Sequence, residues 1–356
     1  MDFTISRRLL LIMYKTVSFL HNLIYRAKKR TYVYDKYVVK IYNEIELRKG
    51  IEEVINGLCA IGGQNIIRTS TVSLPKIISK YRTKHKLIVV FEKVEGFPLE
   101  ILIRFIPLSW YGIFRIFIRL GKAIRCFHSS LTIKRSHTIV APEPIPSSLR
   151  DLFHKILFLS SVLKKDHIID QSTWINVHNI VRIGKKISTE NNSKQVCNLL
   201  FRPVTAHLAL EPMHVYITKS IEGRYQFILL DIDGISIAPA YFDLATLLYA
   251  INTNVFTTVT KILWGEKIRR YVNLIRSVLL MVYLGANYDE QALYMLMICE
   301  IYVTLRRIYH VFYLRRQQMK SVSDLINKIN GLFRIKLTVH YLKELIKIVL
   351  EQYSRK

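Results

Sequence analysis

Two stretches of this sequence concentrate side chains able to do chemistry: HLALEPMH at residues 207–214 and DIDGISIAPAYFD at residues 231–243. The first supplies His207, Glu211 and His214, and the second Asp231, Asp233 and Asp243. The apolar run FILL leads into Asp231 and predicts a strand that delivers this acid at its end. Asp231 and Asp233, two residues apart, offer carboxylate oxygens of the kind that hold hard divalent cations. His214 adds an imidazole, which binds some divalent metals although Mg²⁺ prefers oxygen. His207 and Glu211 are the acid–base candidates, and the plainer reading of His207 is a structural histidine bonded to local backbone. Lys40 closes the strand-like YVVK, and Glu52 and Glu53 follow in a helical stretch, IELRKGIEEVINGLCAIG.

These residues need elements to hold them. TYVYDKYVVKIY is rich in β-branched and aromatic residues around a charged DK tip, which predicts a hairpin. SLPKIISKYRTKHKLIVVFEKVEG predicts two more strands around a basic turn. From Pro98 onward helical spacing dominates, over 109–130, 148–164, 172–187, 256–284, 289–318, 321–332 and 337–353. A short β island at 213–232 interrupts the helices, while PEPIPSS (142–148) and STENNSK (188–194) read as loops. Ahead of it all, Leu10, Met13, Val17, Leu20 and Ile24 follow helical spacing in a stretch with basic ends. Its longest apolar run, Leu9 to Tyr14, is far short of the roughly 20 residues a spanning helix needs. The segment is expected to pack on the domain or to lie on an anionic membrane surface. The organisation expected is a basic amphipathic helix over 1–29, a β-rich lobe over 30–95 and a helical lobe over 96–356.

The order of these pieces resembles the aminoglycoside phosphotransferase and choline kinase family, over roughly residues 30 to 250. The resemblance rests on Lys40 ending its strand, the hinge segment LIVVFEKVEGFPLE, the helix end GKAIRCFHSS, and the two stretches quoted first. It implies an α+β, protein kinase-like two-lobed fold that uses ATP and Mg²⁺. Phosphoryl transfer needs a cation on the nucleotide phosphates, metal held by acidic or amide oxygens, and a base near the acceptor hydroxyl. The resemblance makes Lys40 the phosphate-contacting lysine, with Glu52 or Glu53 as its helix partner and Glu92 in the hinge of the nucleotide side. Asp231 becomes the main metal ligand, Asp233 a second-metal ligand, and Asp243 the brace of the catalytic loop.

That loop departs from the family pattern. His207, Leu210, Pro212 and Val215 match, but Leu208 replaces glycine, His214 replaces the metal-binding asparagine, and Ala209 replaces the catalytic aspartate. Alanine accepts no proton, so the family's base is missing. No glycine occurs between Met1 and Lys49, so phosphate cradling over the hairpin tip would fall to side chains such as Lys28, Lys29 or Lys36. The expectation is a pseudokinase or strongly impaired kinase acting by binding. The alternatives are an active small-molecule or sugar/lipid kinase with a rearranged site, for which Glu211 is the nearest carboxylate, and a basic membrane- or nucleic-acid-binding protein.

Bulk properties bound these readings. The chain has 356 residues, 51% of them apolar and 22% charged, which excludes a disordered polyelectrolyte. Lys and Arg total 53 against 26 Asp and Glu, a net charge of +27 that favours an anionic partner: membrane surface, acidic protein or nucleic acid. Cys59, Cys126, Cys197 and Cys299 lack ligand spacing and fit buried thiols in a reducing compartment. The expected location is cytoplasmic, or peripheral at the inner membrane surface. The stretch RRIYHVFYLRRQQMK (306–320) interleaves basic and aromatic residues at helical spacing, either as a core stripe with a solvated face or as a surface for an anionic substrate.

Overall fold

A computed structural model describes residues 31–44, 51–52, 55–56, 72–104, 110–130, 145–189, 191–219, 225–255, 258–316 and 322–354. The amphipathic segment expected over 1–29 lies outside the described residues.

Strands β1 (Thr31–Val33) and β2 (Tyr37–Asn43) form the hairpin around Asp35 and Lys36, with Tyr34 N–H donating to Tyr37 O at 2.9 Å. Strands β4 (Ile77–Arg82) and β5 (Lys86–Glu92) flank the basic turn, and the antiparallel sheet runs β1-β2-β5-β4. Alternation sets its faces: Leu87, Val89 and Phe91 of β5 are buried. Register places Tyr42 opposite Leu87, Lys40 opposite Val89 and Val38 opposite Phe91. Lys40 therefore stands on the core-facing side of the sheet, between two apolar neighbours, and its ammonium has to reach a partner beneath.

A second four-stranded sheet is ordered β3-β9-β8-β6. Its centre is the hairpin of β8 (Val215–Lys219) and β9 (Tyr225–Leu229), the island expected from sequence. Its edges come from far upstream: β3 (Val72–Ser73) pairs parallel to β9, and β6 (Phe97–Pro98) antiparallel to β8. A further pair, β7 (Pro203–Ala206) with β10 (Ser236–Pro239), frames the two chemistry-bearing loops. Sequence reading passed over β7 and β10 because each is four residues long and carries a proline, which leaves no room for a periodic pattern.

Helices form the remainder: α1 (Leu99–Arg104), α2 (Trp110–Ser130), α3 (Leu149–Lys165), α4 (Gln171–Ser188), α5 (Asn191–Leu200), α6 (Tyr241–Ala250), α7 (Thr258–Leu284), α8 (Glu290–Arg316) and α9 (Val322–Ser354). In α2, Phe117, Leu120, Ile124 and Phe127 are buried at helical spacing, which turns His128 in the last turn inward. Every residue of α6 is buried, so it is a central core helix and not an amphipathic one. Two expectations change. α9 is a single helix where two were expected, since no proline interrupts Val322–Ser354. α5 begins within the stretch read as a loop, since burial of Val196 and Leu200 outweighs the weak helix propensity of its Asn/Ser start. Among the described residues no helix is long and apolar enough to cross a membrane. Cys197 and Cys299 are free thiols, and burial pushes Cys197 up to about 11.

Candidate functional site

The site is built on the loop after β7 and the turn after β9, with α6 beneath. Asp243, in the first turn of α6, is completely buried. Its Oδ2 accepts the backbone N–H of His207 at 2.7 Å, and its Oδ1 that of Leu208 at 2.8 Å. His128 Nε2 donates to Oδ2 at 3.0 Å, and the His128 Nδ1 faces the Tyr283 hydroxyl at 2.8 Å. Burial opposes the charge of Asp243, but the His128 hydrogen bond and charge, the His207 charge and the His207 N–H together hold its carboxyl below the ordinary range. Asp243 thus fixes the backbone of the loop that precedes Ala209.

That fixation is needed because Leu208 has φ +58, a left-handed conformation that a residue with a Cβ adopts at a cost of about 1–2 kcal/mol. Asp231 takes the same region at φ +58 and ψ +51, where aspartate is better tolerated. The two loops also touch: a Cβ on Gly234 would lie 2.7 Å from the carbonyl oxygen of His207. Only glycine lets the 232–234 turn come this close.

Two of the residues singled out from sequence, Lys40 and His214, converge on Asp231. Lys40 Nζ lies 2.7 Å from Asp231 Oδ1. His214 Nε2 lies 3.9 Å from Asp231 Oδ2, beyond hydrogen-bond reach. His214 Nδ1 donates to the Ala209 carbonyl at 2.7 Å, which leaves Nε2 of the neutral ring as the lone-pair nitrogen. Burial works against the charge of Asp231, and the nearby Lys40 ammonium, with His214 and His207, more than offsets it, so this carboxyl too is held low. His207 is wholly buried, and its Nε2 donates to Leu230 O at 2.5 Å. Burial pulls its pKa below the ordinary value against the opposing charge of Asp243. This is the structural histidine bonded to backbone that the sequence suggests.

The other candidates lie elsewhere. Glu52 accepts a hydrogen bond from Arg82 Nε at 2.9 Å, and Glu53 falls outside the described residues. Glu92 ends β5 with an exposed side chain, while its backbone N–H donates to Lys76 O at 2.8 Å. The backbone of Asp233 lies in the short helical turn 232–234. Glu211, the nearest carboxylate to Ala209 in sequence, forms an ion pair with Arg307 Nη2 of α8 at 2.8 Å. Arg307 also stands over the ring of Tyr249, a residue of α6, at 5.9 Å, so α8 brings a basic side chain to this loop.

The comparisons bear on this architecture. No family model matches the chain, and no curated protein matches it in sequence. Among solved structures it is similar to the GDP complex of wild-type aminoglycoside 2′-phosphotransferase-IIIa, with 15% identity over 88% of this chain and 90% of that one at a TM-score of 0.54. The GDP complex of a point variant of that enzyme gives 16% identity, 87% and 88% coverage, and the same TM-score of 0.54. An ethanolamine kinase from Plasmodium vivax gives 14% identity over 85% and 75% at 0.49. The fold is kinase-like. Its class is α+β, a small β-rich part followed by a mostly helical one.

A kinase-like fold implies Mg²⁺ and nucleotide, and the residues present fit them unequally. Lys40, on the core-facing side of the sheet, fits an anionic phosphate once released from Asp231. Mg²⁺ asks for oxygen donors in octahedral array. Among the described residues no cluster of three or more His, Cys, Asp or Glu side chains could hold a metal, and Asp231 and His214 offer one carboxylate oxygen and one nitrogen. Among the described side chains Mg²⁺ would find one carboxylate, with water and phosphate oxygens needed to complete its six positions. Sequence reasoning missed His128, Tyr283 and Arg307. His128 was signalled by a histidine closing the amphipathic helix in GKAIRCFHSS, and Arg307 lies in the basic–aromatic stretch 306–320 without having been given a role at the loop, while Tyr283 has no local signature.

Proposed function

We propose that this protein is a degenerate kinase-fold protein: it binds nucleotide weakly at most, transfers phosphoryl groups little, and acts by binding. One observation carries this reading. Asp243 and the Gly234 contact hold the loop in place, yet the side chain at its centre is Ala209, and Glu211 is tied to Arg307. Loss of one general base lowers rate by roughly 10²–10⁴-fold, so a trace activity is compatible with it. Net charge +27 favours an anionic partner for the binding role.

A second reading, an active small-molecule kinase with a rearranged site, draws support from the retained Lys40–Asp231 pair and the Asp243 brace. Under it, Glu211 would have to leave Arg307 to act as base. The test is ATP titration by calorimetry in MgCl₂, with Asp231→Ala as control, alongside a transfer assay on sugar, aminoglycoside and choline-like acceptors. Weak or absent binding and little transfer are expected, with Ala209→Asp raising any trace turnover by orders of magnitude. Rapid ATP-dependent phosphorylation of any of these acceptors would overturn the degenerate reading.

A further inference from the structure

The β1-β2-β5-β4 sheet is apolar on both faces, which alternation and register separate. The inner face carries Leu87, Val89 and Phe91, all buried. Opposite Val89 and Leu87 on that face, Lys80 and Arg82 reach Asn56 and Glu52. The outer face carries the rows Val39–Val90 and Ile41–Ile88, with Tyr81 beside Ile88 and Tyr37 at the far end of β2. Here large side chains stand in water: Tyr81 is 66% exposed and Tyr37 40%. Ile78, at the bulge between Ile77 and Ser79 of β4, is 54% exposed. Soluble monomers rarely leave a contiguous apolar patch of this kind bare.

We infer that this outer face is the dock for the chain's own leading segment, residues 10–24, which lies outside the described residues. At helical spacing Leu10, Met13, Val17, Leu20 and Ile24 form one stripe, and Arg8, Lys15, Asn22 and Arg26 fall on the opposite side. A helix over 10–24 is about 22 Å long. The seven-residue strands β2 and β5 each run about 23 Å, so stripe and sheet match in length.

The chain's entry into the sheet places the segment beside this face. Thr31, the first residue of β1, is level with Lys40 and so with Val89, half-way along the strands. Tyr32 follows in the outer-face row of Val39 and Val90. Only residues 25–30 separate the stripe from Thr31, a tether that spans at most about 20 Å.

The same tether selects this occupant over a second copy of the chain. A short link holds the segment at an effective concentration on the order of millimolar, which separate molecules in dilute solution do not reach. An anionic bilayer would cover the segment's stripe but leave the sheet face bare. Docking covers both apolar surfaces in one contact and keeps Lys15 and the 26–30 cluster of arginine and lysine in water.

The experiment is photo-crosslinking of the full chain, with benzoylphenylalanine replacing Tyr81 or, separately, Ile78. Phe158 of α3, 52% exposed, is replaced in the same way as the control. Light and heavy isotope-labelled copies are mixed, and crosslinked peptides are mapped by mass spectrometry. The expected result is capture of residues 9–25 of the same copy from position 81 or 78, at least ~10-fold above capture from position 158. Leu20→Asp should lower that yield by a similar factor. Capture no stronger than from position 158 overturns the proposal, and flotation of that chain with phosphatidylserine vesicles would then give the segment to a membrane. Crosslinks that join light to heavy copies also overturn it, in favour of a dimer. None of these readouts involves nucleotide, so the inference stands or falls apart from the proposed function.

Discussion

The Lys40 ammonium lies 2.7 Å from Oδ1 of Asp231, a carboxylate 191 residues further along the chain. The pair is partly exposed, at 21% and 39%, so solvent screens it and its contribution to stability is small. Lys40→Met is expected to change stability by less than ~1 kcal/mol, measured by urea unfolding.

Asp243 presents the opposite case, since none of its surface is exposed and it accepts the N–H groups of His207 and Leu208 as well as His128. Asp243→Ala leaves two buried N–H donors and an imidazole without their acceptor, and releases the strained Leu208. A loss of about 3–5 kcal/mol is expected in the unfolding free energy.

Stability should fall on the acid side in two stages. His207 has a folded pKa below its unfolded value of about 6.5, so the unfolded chain binds the extra proton first. Its contribution is complete above pH about 6.5 and is lost as pH falls from there toward the depressed folded value. Asp243, also depressed, contributes fully above its unfolded pKa of about 4 and loses that contribution as pH falls further, through its folded value. Thermal melts of wild type and His207→Gln, which keeps a donor for Leu230 O, should differ in slope mainly in the first window.

A buried ion pair joins three helices. Arg276 of α7 donates through Nε and Nη2 to Glu300 Oε2 of α8, each at 2.9 Å. The Tyr341 hydroxyl of α9 donates to the other Glu300 oxygen. Neither charged side chain is more than 2% exposed. Glu300→Leu or Arg276→Met alone should cost about 3–5 kcal/mol, and the double variant should regain most of it, as read from a double-mutant cycle in urea.

The sequence was most legible where one element carries its own signal. The β1–β2 hairpin follows from TYVYDKYVVKIY, and the strand delivering Asp231 follows from FILL. Lys40 and Asp231 could be paired only through the resemblance, because nothing local connects residues so distant. The roles of Arg307 and Tyr283 were illegible for that reason: each meets its partner through helix packing alone. Glu52 shows the converse, since a helix after the Lys40 strand was readable while its bond to Arg82 was decided by the tertiary placement of β4.

The β8–β9 hairpin that positions His214 and Asp231 is covered on part of each outer edge, by β3 at Phe227 and Ile228 and by β6 at Tyr216 and Ile217. Both covering strands are only two residues long and belong to the first hundred residues of the chain. A truncated product beginning at α2 would keep every acid of the cleft yet bare two rows of unpaired backbone groups. Such rows recruit strands from other molecules. Without the early segment, those edges would be open to pairing between copies of the part that holds the cleft.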